Sequence, residues 1–359
     1  MKNKLLLTSA LASSLIAGSA LAQTTITGDL VVNYRVGSYK ASSGLASTRS
    51  FGRESQVNIQ NKGKLNNGMD YAAGFSLEFD GQNTPGTQAA PVAERQTISN
   101  ENLYFDLING NTVLTVGIDH MQRVYGGATP QVTDNIDDVN WNGAGTTFLV
   151  GSNSTESMGV GIIQRNVAGF NLGAYYVPTT NDIGGYDTGR RNSGTADTPR
   201  NSSYELTAIG NDAFGVKGLS VALQYNKEDK QTSAHLGDNS SNWYGAGYNF
   251  GTVAIGYDRI INEKKNTTTT TSATEDKTHR YGVTFAAAKN VTLGVNQFKT
   301  KRTDNAKTAT LREEKSTAVQ VGYNLGPVTA IANLSRTENV NFISAADVDQ
   351  VTLRLATKF

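Results

Sequence analysis

Apolar and polar residues alternate along most of this chain. Ile26, Gly28, Leu30, Val32, Tyr34 and Val36 are interleaved with Thr25, Thr27, Asp29, Asn33 and Arg35. Val57 and Ile59 continue the pattern against Gln56, Asn58 and Gln60. It is clearest where Met69, Tyr71, Ala73, Phe75, Leu77 and Phe79 face Asp70, Gly74, Ser76, Glu78 and Asp80. Leu103, Phe105 and Leu107 follow, and the second half repeats the theme around 219–225, 253–257, 281–287, 291–295 and 351–355. Period two is the signature of a β-strand with chemically different faces. An all-β chain is therefore expected.

Alternation alone fits a soluble sandwich as well as a barrel wall. The connections separate the two. Tight links rich in Asn and Gly fall at 64–68, 108–111, 166–169, 250–251, 289–290 and 326–327, with a longer turn at 210–218. Such residues supply the positive φ of short hairpins. Between them lie eight long polar stretches, around 37–52, 81–97, 120–152, 179–200, 228–241, 262–277, 300–314 and 337–347. Tight turns at one end and long loops at the other describe a transmembrane barrel. Eight long loops imply sixteen antiparallel strands. At that size side chains no longer fill the interior and water does.

The first residues belong to a different kind of segment. Lys2 and Lys4, an apolar run from Leu5 to Ile16 and the Ala20-Leu21-Ala22 site read as a secretory signal peptide, 1–22, with 23–359 as the mature barrel domain. Removing 22 residues from 359 leaves 337, about 21 per strand with its connector, enough for spanning strands of roughly ten residues. Losing both lysines takes the formal charge from +1 to −1. A near-neutral chain argues against nucleic acid as partner. The absence of cysteine removes disulfides and thiol chemistry. Mean hydropathy of −0.38 excludes a helical membrane protein but not a barrel, in which alternate residues face lipid.

The chain resembles the general bacterial porins, sixteen-stranded trimeric barrels of the Gram-negative outer membrane. The resemblance covers the whole mature length. It is carried by the start at Gln23, the opening Thr24-Thr25-Ile26-Thr27-Gly28-Asp29-Leu30, the long third loop, and the closing Gln350-Val351-Thr352-Leu353-Arg354-Leu355-Ala356-Thr357-Lys358-Phe359. It implies a homotrimer in contact with outer-membrane lipid and lipopolysaccharide, passing small hydrophilic solutes and ions by passive diffusion. A substrate-selective channel is the alternative within that class; an adhesin or enzyme on a barrel scaffold is the alternative outside it.

The resemblance also implies that the third loop folds inward and sets acidic residues against a basic wall. Here that loop runs from His120 to about Ser152, and its acidic candidates are Asp134, Asp137 and Asp138. An ordinary solvated external loop is the other reading of the same stretch. Strand parity turns Arg35, Arg280 and Arg354 inward as basic wall residues and Glu78 and Asp80 inward as acidic ones. Arg35 and Arg354 lie on the first and last strands, which a closed barrel makes neighbours. Arg53 falls on the outward parity.

No catalytic constellation emerges. His120, His235 and His279 sit far apart, in or beside different long loops. Asp134-Asn135-Ile136-Asp137-Asp138 faintly suggests a calcium loop but lacks the glycine and terminal glutamate of an EF-hand. Calcium at loop carboxylates is the one metal considered; otherwise no cofactor is expected. Gly245-Ala246-Gly247 reads as a thin stretch of strand where another group packs close.

Overall fold

The computed structural model describes residues 23–40, 48–81, 97–99, 103–118, 158–178, 202–228, 231–232, 235–236, 239–264, 274–304 and 313–359. The strands are β1 (Gln23–Tyr39), β2 (Thr48–Lys64), β3 (Asp70–Gly81), β4 (Thr97–Ser99 and Leu103–Asn109), β5 (Thr112–Ile118), β6 (Gly159–Val167), β7 (Phe170–Val177) and β8 (Ser203–Asn211). They continue as β9 (Leu219–Glu228), β10 (Asn239–Asn249), β11 (Val253–Lys264), β12 (Thr274–Ala288), β13 (Val291–Asp304), β14 (Glu314–Asn324), β15 (Val328–Glu338) and β16 (Val348–Lys358). The two pieces of β4 pair in succession with the same edge of β3 and form one interrupted strand. Every strand pairs antiparallel with its chain neighbours.

The sheet closes on itself. β1 pairs with β16 from Asp29 opposite Lys358 to Tyr39 opposite Val348. Gly28 and Phe359 complete the seam by exchanging both backbone hydrogen bonds, at 2.8 and 2.9 Å. Closure satisfies the N–H and C=O groups of both edge strands, the condition for strands to cross hydrocarbon.

Each strand's two faces have different chemistry. Leu30, Val32, Val319, Val321, Leu334, Leu353 and Leu355 point outward and are exposed. Asn33, Asn296, Gln320, Asn333, Gln350 and Thr352 occupy the opposite parity and are buried within the barrel. A water-soluble protein places those classes the other way round. Rings border the outward apolar band. Toward the loops lie the contacts Tyr34–Phe51, Tyr204–Tyr225 and Tyr257–Tyr281, with centroids 4.8, 5.8 and 5.3 Å apart. Toward the turns lie Phe170–Phe214 and Tyr248–Phe250, at 5.0 and 4.5 Å. Two aromatic rows around an apolar band mark the two interfaces of a bilayer.

Turn chemistry sets the tight end. At Asn249-Phe250-Gly251 and Asn324-Leu325-Gly326, the asparagine Oδ1 accepts a hydrogen bond from the glycine N–H at 2.8 Å. Gly251 and Gly326 have φ of +98° and +91°, where a Cβ would be strained. The stretch at 212–218 is the long turn expected from the sequence. It holds a short 3-10 turn, Ala213–Gly215, and is tied across by the Gly218 N–H to Asp212 Oδ1 at 2.6 Å.

Several strands outrun their expected bounds. β1 and β2 extend into the stretch read as loop 37–52, and β11 to β13 extend into those read as 262–277 and 300–314. These extensions are rich in Lys, Arg, Asp, Glu and Thr, so apolar alternation does not mark them. Cross-strand ion pairing sustains them instead, as in Arg302 with Asp276. The loop at 228–241 contains a two-residue hairpin, Gln231–Thr232 with His235–Leu236.

Candidate functional site

The inner wall is the surface that any solute in this barrel meets. On β16 and β1 the register sets Arg354 opposite Asn33, and Arg35 opposite Thr352. The two arginines are diagonal neighbours on one face, a spacing of roughly 7–8 Å in such a ladder. Both are half-buried and project among Asn33, Gln350 and Thr352. The seam that closes the barrel thus carries two adjacent guanidinium groups on its inner side.

Arg280 also faces inward from β12, but its charge is neutralised. Its Nη2 lies 2.8 Å from Asp258 Oδ2, and its Nε donates to the same oxygen at 3.0 Å. Trp243 Nε1 donates to the other carboxylate oxygen at 3.2 Å. The guanidinium carbon sits 5.7 Å from the ring centroids of both Trp243 and Phe298. Gly245 makes this possible: a Cβ there would overlap Asp258 Oδ1. The close approach expected at Gly245-Ala246-Gly247 is that of the Asp258 carboxylate. Sequence reading placed Asp258 on the polar face but did not join it to Arg280. The signal was their shared inward parity on adjacent strands; the register was missing.

A second inward arginine is handled the same way. Arg302 binds Asp276 through two nitrogens at 2.6 Å each and lies 4.3 Å from the centroid of Phe342, which descends from the loop after β15. That loop is folded back by Asp347. The carboxylate accepts from Lys40, from Arg336 Nη2 at 3.3 Å and from the Asn339 N–H at 3.3 Å. The Lys40 hydrogen bond, above all, holds the Asp347 carboxyl below the usual carboxylate range.

Inward carboxylates also line the wall. Glu205 on β8 is buried and accepts from Gln224 Nε2 at 3.1 Å and Asn226 Nδ2 at 3.5 Å. Asp106 on β4 and Glu314 on β14 are also buried on inward positions. The alternation of Leu103, Phe105 and Leu107 puts Asp106 on the polar face, whereas Glu205 and Glu314 fall on strands that the sequence reading did not single out. The ladder pairs Glu78 with Gln56 and Asp80 with Glu54; the side chains of Glu78 and Asp80 lie outside the described residues. Asp134, Asp137, Asp138 and His120 also lie outside the described residues. His279 faces away from the interior, its Nδ1 2.8 Å from the Tyr257 hydroxyl. Among the described residues, no three His, Asp or Glu side chains converge as a metal site.

The wall is polar on its inner face and carries both signs of charge, some mutually cancelled. Such an arrangement can pass hydrated solutes and weight the passage of ions. Comparison with known proteins agrees with this geometry. A family model described as Gram-negative porin matches residues 8–341. No curated protein matches the chain by sequence. Among solved structures, the Salmonella typhi OmpF complex with daunomycin is similar at TM-score 0.60 and 9% identity, covering 94% of this chain and 98% of that one. The trimer form of OmpT from Vibrio cholerae is similar at TM-score 0.57 and 11% identity, covering 94% and 99%. A mutant of Rh. blastica porin is similar at TM-score 0.56 and 12% identity, covering 94% and 100%.

Proposed function

This chain belongs to the Gram-negative porin family, and from that premise we propose that it is a general diffusion pore of mixed wall charge, slightly favouring cations. One observation carries the reading. Inward faces around the barrel bear amides, hydroxyls and charges, while outward faces bear an apolar band between two rows of rings. A sixteen-stranded wall of this kind encloses water.

The selectivity reading follows from the charge balance. Arg280 and Arg302 are each paired with a carboxylate, and Arg35 and Arg354 lie together on the seam as a further basic feature of the wall. Glu205, Asp106 and Glu314 add inward carboxylates to the wall, and Asp134, Asp137 and Asp138 of the third loop are proposed as the negative side of the narrowest point. Charge acts most strongly there because ions are partly desolvated. The proposed assembly is a homotrimer, the state named for the Vibrio cholerae OmpT structure. The proposed location is the outer membrane, reached by cleavage after Ala22. No catalytic residue and no cofactor are assigned.

The reading is tested by swelling of proteoliposomes in neutral sugars of graded size. Rates that fall smoothly with solute size and never saturate are expected. A rate that saturates for one sugar would replace this reading with that of a substrate-selective channel.

A further inference from the structure

The inner face of β8 and β9 holds a group of oxygens whose bonding is incomplete. Glu205 and Thr207 point inward from β8 and are buried. On β9, Gln224 stands opposite Thr207 and Asn226 opposite Glu205, both also buried. Gln224 Nε2 and Asn226 Nδ2 donate to the two oxygens of the Glu205 carboxylate, at 3.1 and 3.5 Å. The first of these bonds turns the Gln224 carbonyl oxygen away from Glu205. Gln224 Oε1 and Thr207 Oγ1 are buried with no hydrogen-bond partner among the described residues. Buried oxygens without a donor are costly, and two beside one carboxylate call for a common donor.

The neighbours on the flanking strands turn away from this group. Gly173 stands opposite Thr207 and brings no side chain. Tyr175, opposite Glu205, leans toward β5, where its hydroxyl donates to the Gly117 carbonyl. Its ring covers Gly159 and Gly161, at which a Cβ would overlap it. Trp243, opposite Gln224, leans the other way, with Nε1 donating to Asp258 at 3.2 Å. The oxygens therefore line a recess between two rings that are both held back.

Charge and donor count set the class of ligand. Glu205 brings one negative charge, and among the described residues the inward positions of β7 to β10 hold no lysine or arginine. One carboxylate with two neutral oxygens is a poor cage for a divalent metal, which gathers six or more oxygens. A primary ammonium group has one positive charge, three N–H donors and no acceptor. Thr207 lies two residues from Glu205 and directly across from Gln224, so the three acceptors form a triangle with sides of roughly 5–8 Å between Cβ atoms. The rings on either side suit an organic cation.

We propose that Glu205, Thr207 and Gln224 form a wall site for the primary ammonium group of a small organic cation. One N–H meets a Glu205 carboxylate oxygen, one meets Gln224 Oε1 and one meets Thr207 Oγ1. Neutral sugars carry no such group and pass without being held. The inference rests on the reading that this wall lines a water-filled pore, and it names a class of solute that the pore retains briefly in transit.

The test titrates the purified full-length barrel in detergent by ligand-observed NMR. The probes are n-butylammonium and tetramethylammonium, which has the same charge and no N–H donor. Wild-type protein is expected to bind butylammonium about tenfold more tightly, through charge-assisted hydrogen bonds that the other ion cannot make. Thr207→Val, which removes the hydroxyl and little else, is expected to lose most of that margin, and Thr207→Ser to retain it. Equal binding of the two ions by wild type, an unchanged margin in Thr207→Val, or displacement of butylammonium by equimolar potassium overturns the site. Conductance in planar bilayers is read separately on the same preparations. A donor-dependent margin without conductance refutes the channel reading and leaves this site standing; conductance without the margin does the reverse.

Discussion

Asp258 and Arg280 face each other across β11 and β12 inside the barrel wall, joined by two contacts of 2.8 and 3.0 Å and both buried. The pair removes from the pore a cation that parity alone would have counted. It also orders Trp243 against the wall through its own hydrogen bond to Asp258.

Asp258→Asn should therefore act twice. Removing one partner of a buried pair typically costs about 3–5 kcal/mol, with the upper part of that range reserved for dry interiors. The urea midpoint of bilayer-folded barrel should fall. The released Arg280 charge should move the reversal potential toward anions. A variant combining Asp258→Asn with Arg280→Gln should recover most of the potential. An unchanged potential in Asp258→Asn would show that Arg280 does not border the water column.

Gly245→Val should disrupt the same cluster from beneath, because its side chain needs the space of the Asp258 carboxylate. Ala246→Val, one residue on and outward-facing, should be nearly neutral. Thermal unfolding in detergent compares the two. Equal midpoints would contradict the packing described here.

The loop after β15 should respond to acid. The folded Asp347 carboxyl is held below its unfolded value, so its contribution is present above that unfolded value, near pH 3.9. It is lost as pH falls through the lower folded value. Protection of the Asn339 amide, which donates to Asp347, measured against its intrinsic exchange rate at each pH, should be high near neutrality and be lost under strong acid. In Asp347→Asn that protection should be low throughout. Wild-type protection that persists at the lowest pH would remove Asp347 as the holding group.

Much of this wall was legible in the sequence because period two is a local property. Arg35 and Arg354 needed only parity and the rule that a closed barrel joins its first and last strands. The strand number came from loops and turns, since charged extensions such as 299–304 and 274–279 hide apolar alternation. What parity cannot give is register. Whether Arg280 meets Asp258 or lies two residues from it depends on the register of β11 against β12, which the long connection between Lys264 and Thr274 leaves open in the sequence. The outward basic row Arg259–His279–Lys299–Lys315 is likewise invisible until three registers are fixed.

Selectivity should shift in opposite directions when the two sides of the proposed constriction are neutralised. Asp137→Asn with Asp138→Asn should move the reversal potential toward anions, with little loss of stability. Arg35→Gln with Arg354→Gln should move it toward cations. A potential unmoved by the aspartate pair would show that the third loop is not the narrow point.

The central claim is that the barrel encloses a continuous column of water, and single-channel recording in planar bilayers tests it most directly. Conductance should rise in proportion to bulk conductivity over a roughly tenfold range of KCl, with mild curvature at low salt where wall charge is least screened. In asymmetric KCl the reversal potential should be small and on the cation side. Absence of conductance steps, or a current that saturates with salt as at a tight binding site, would contradict the account.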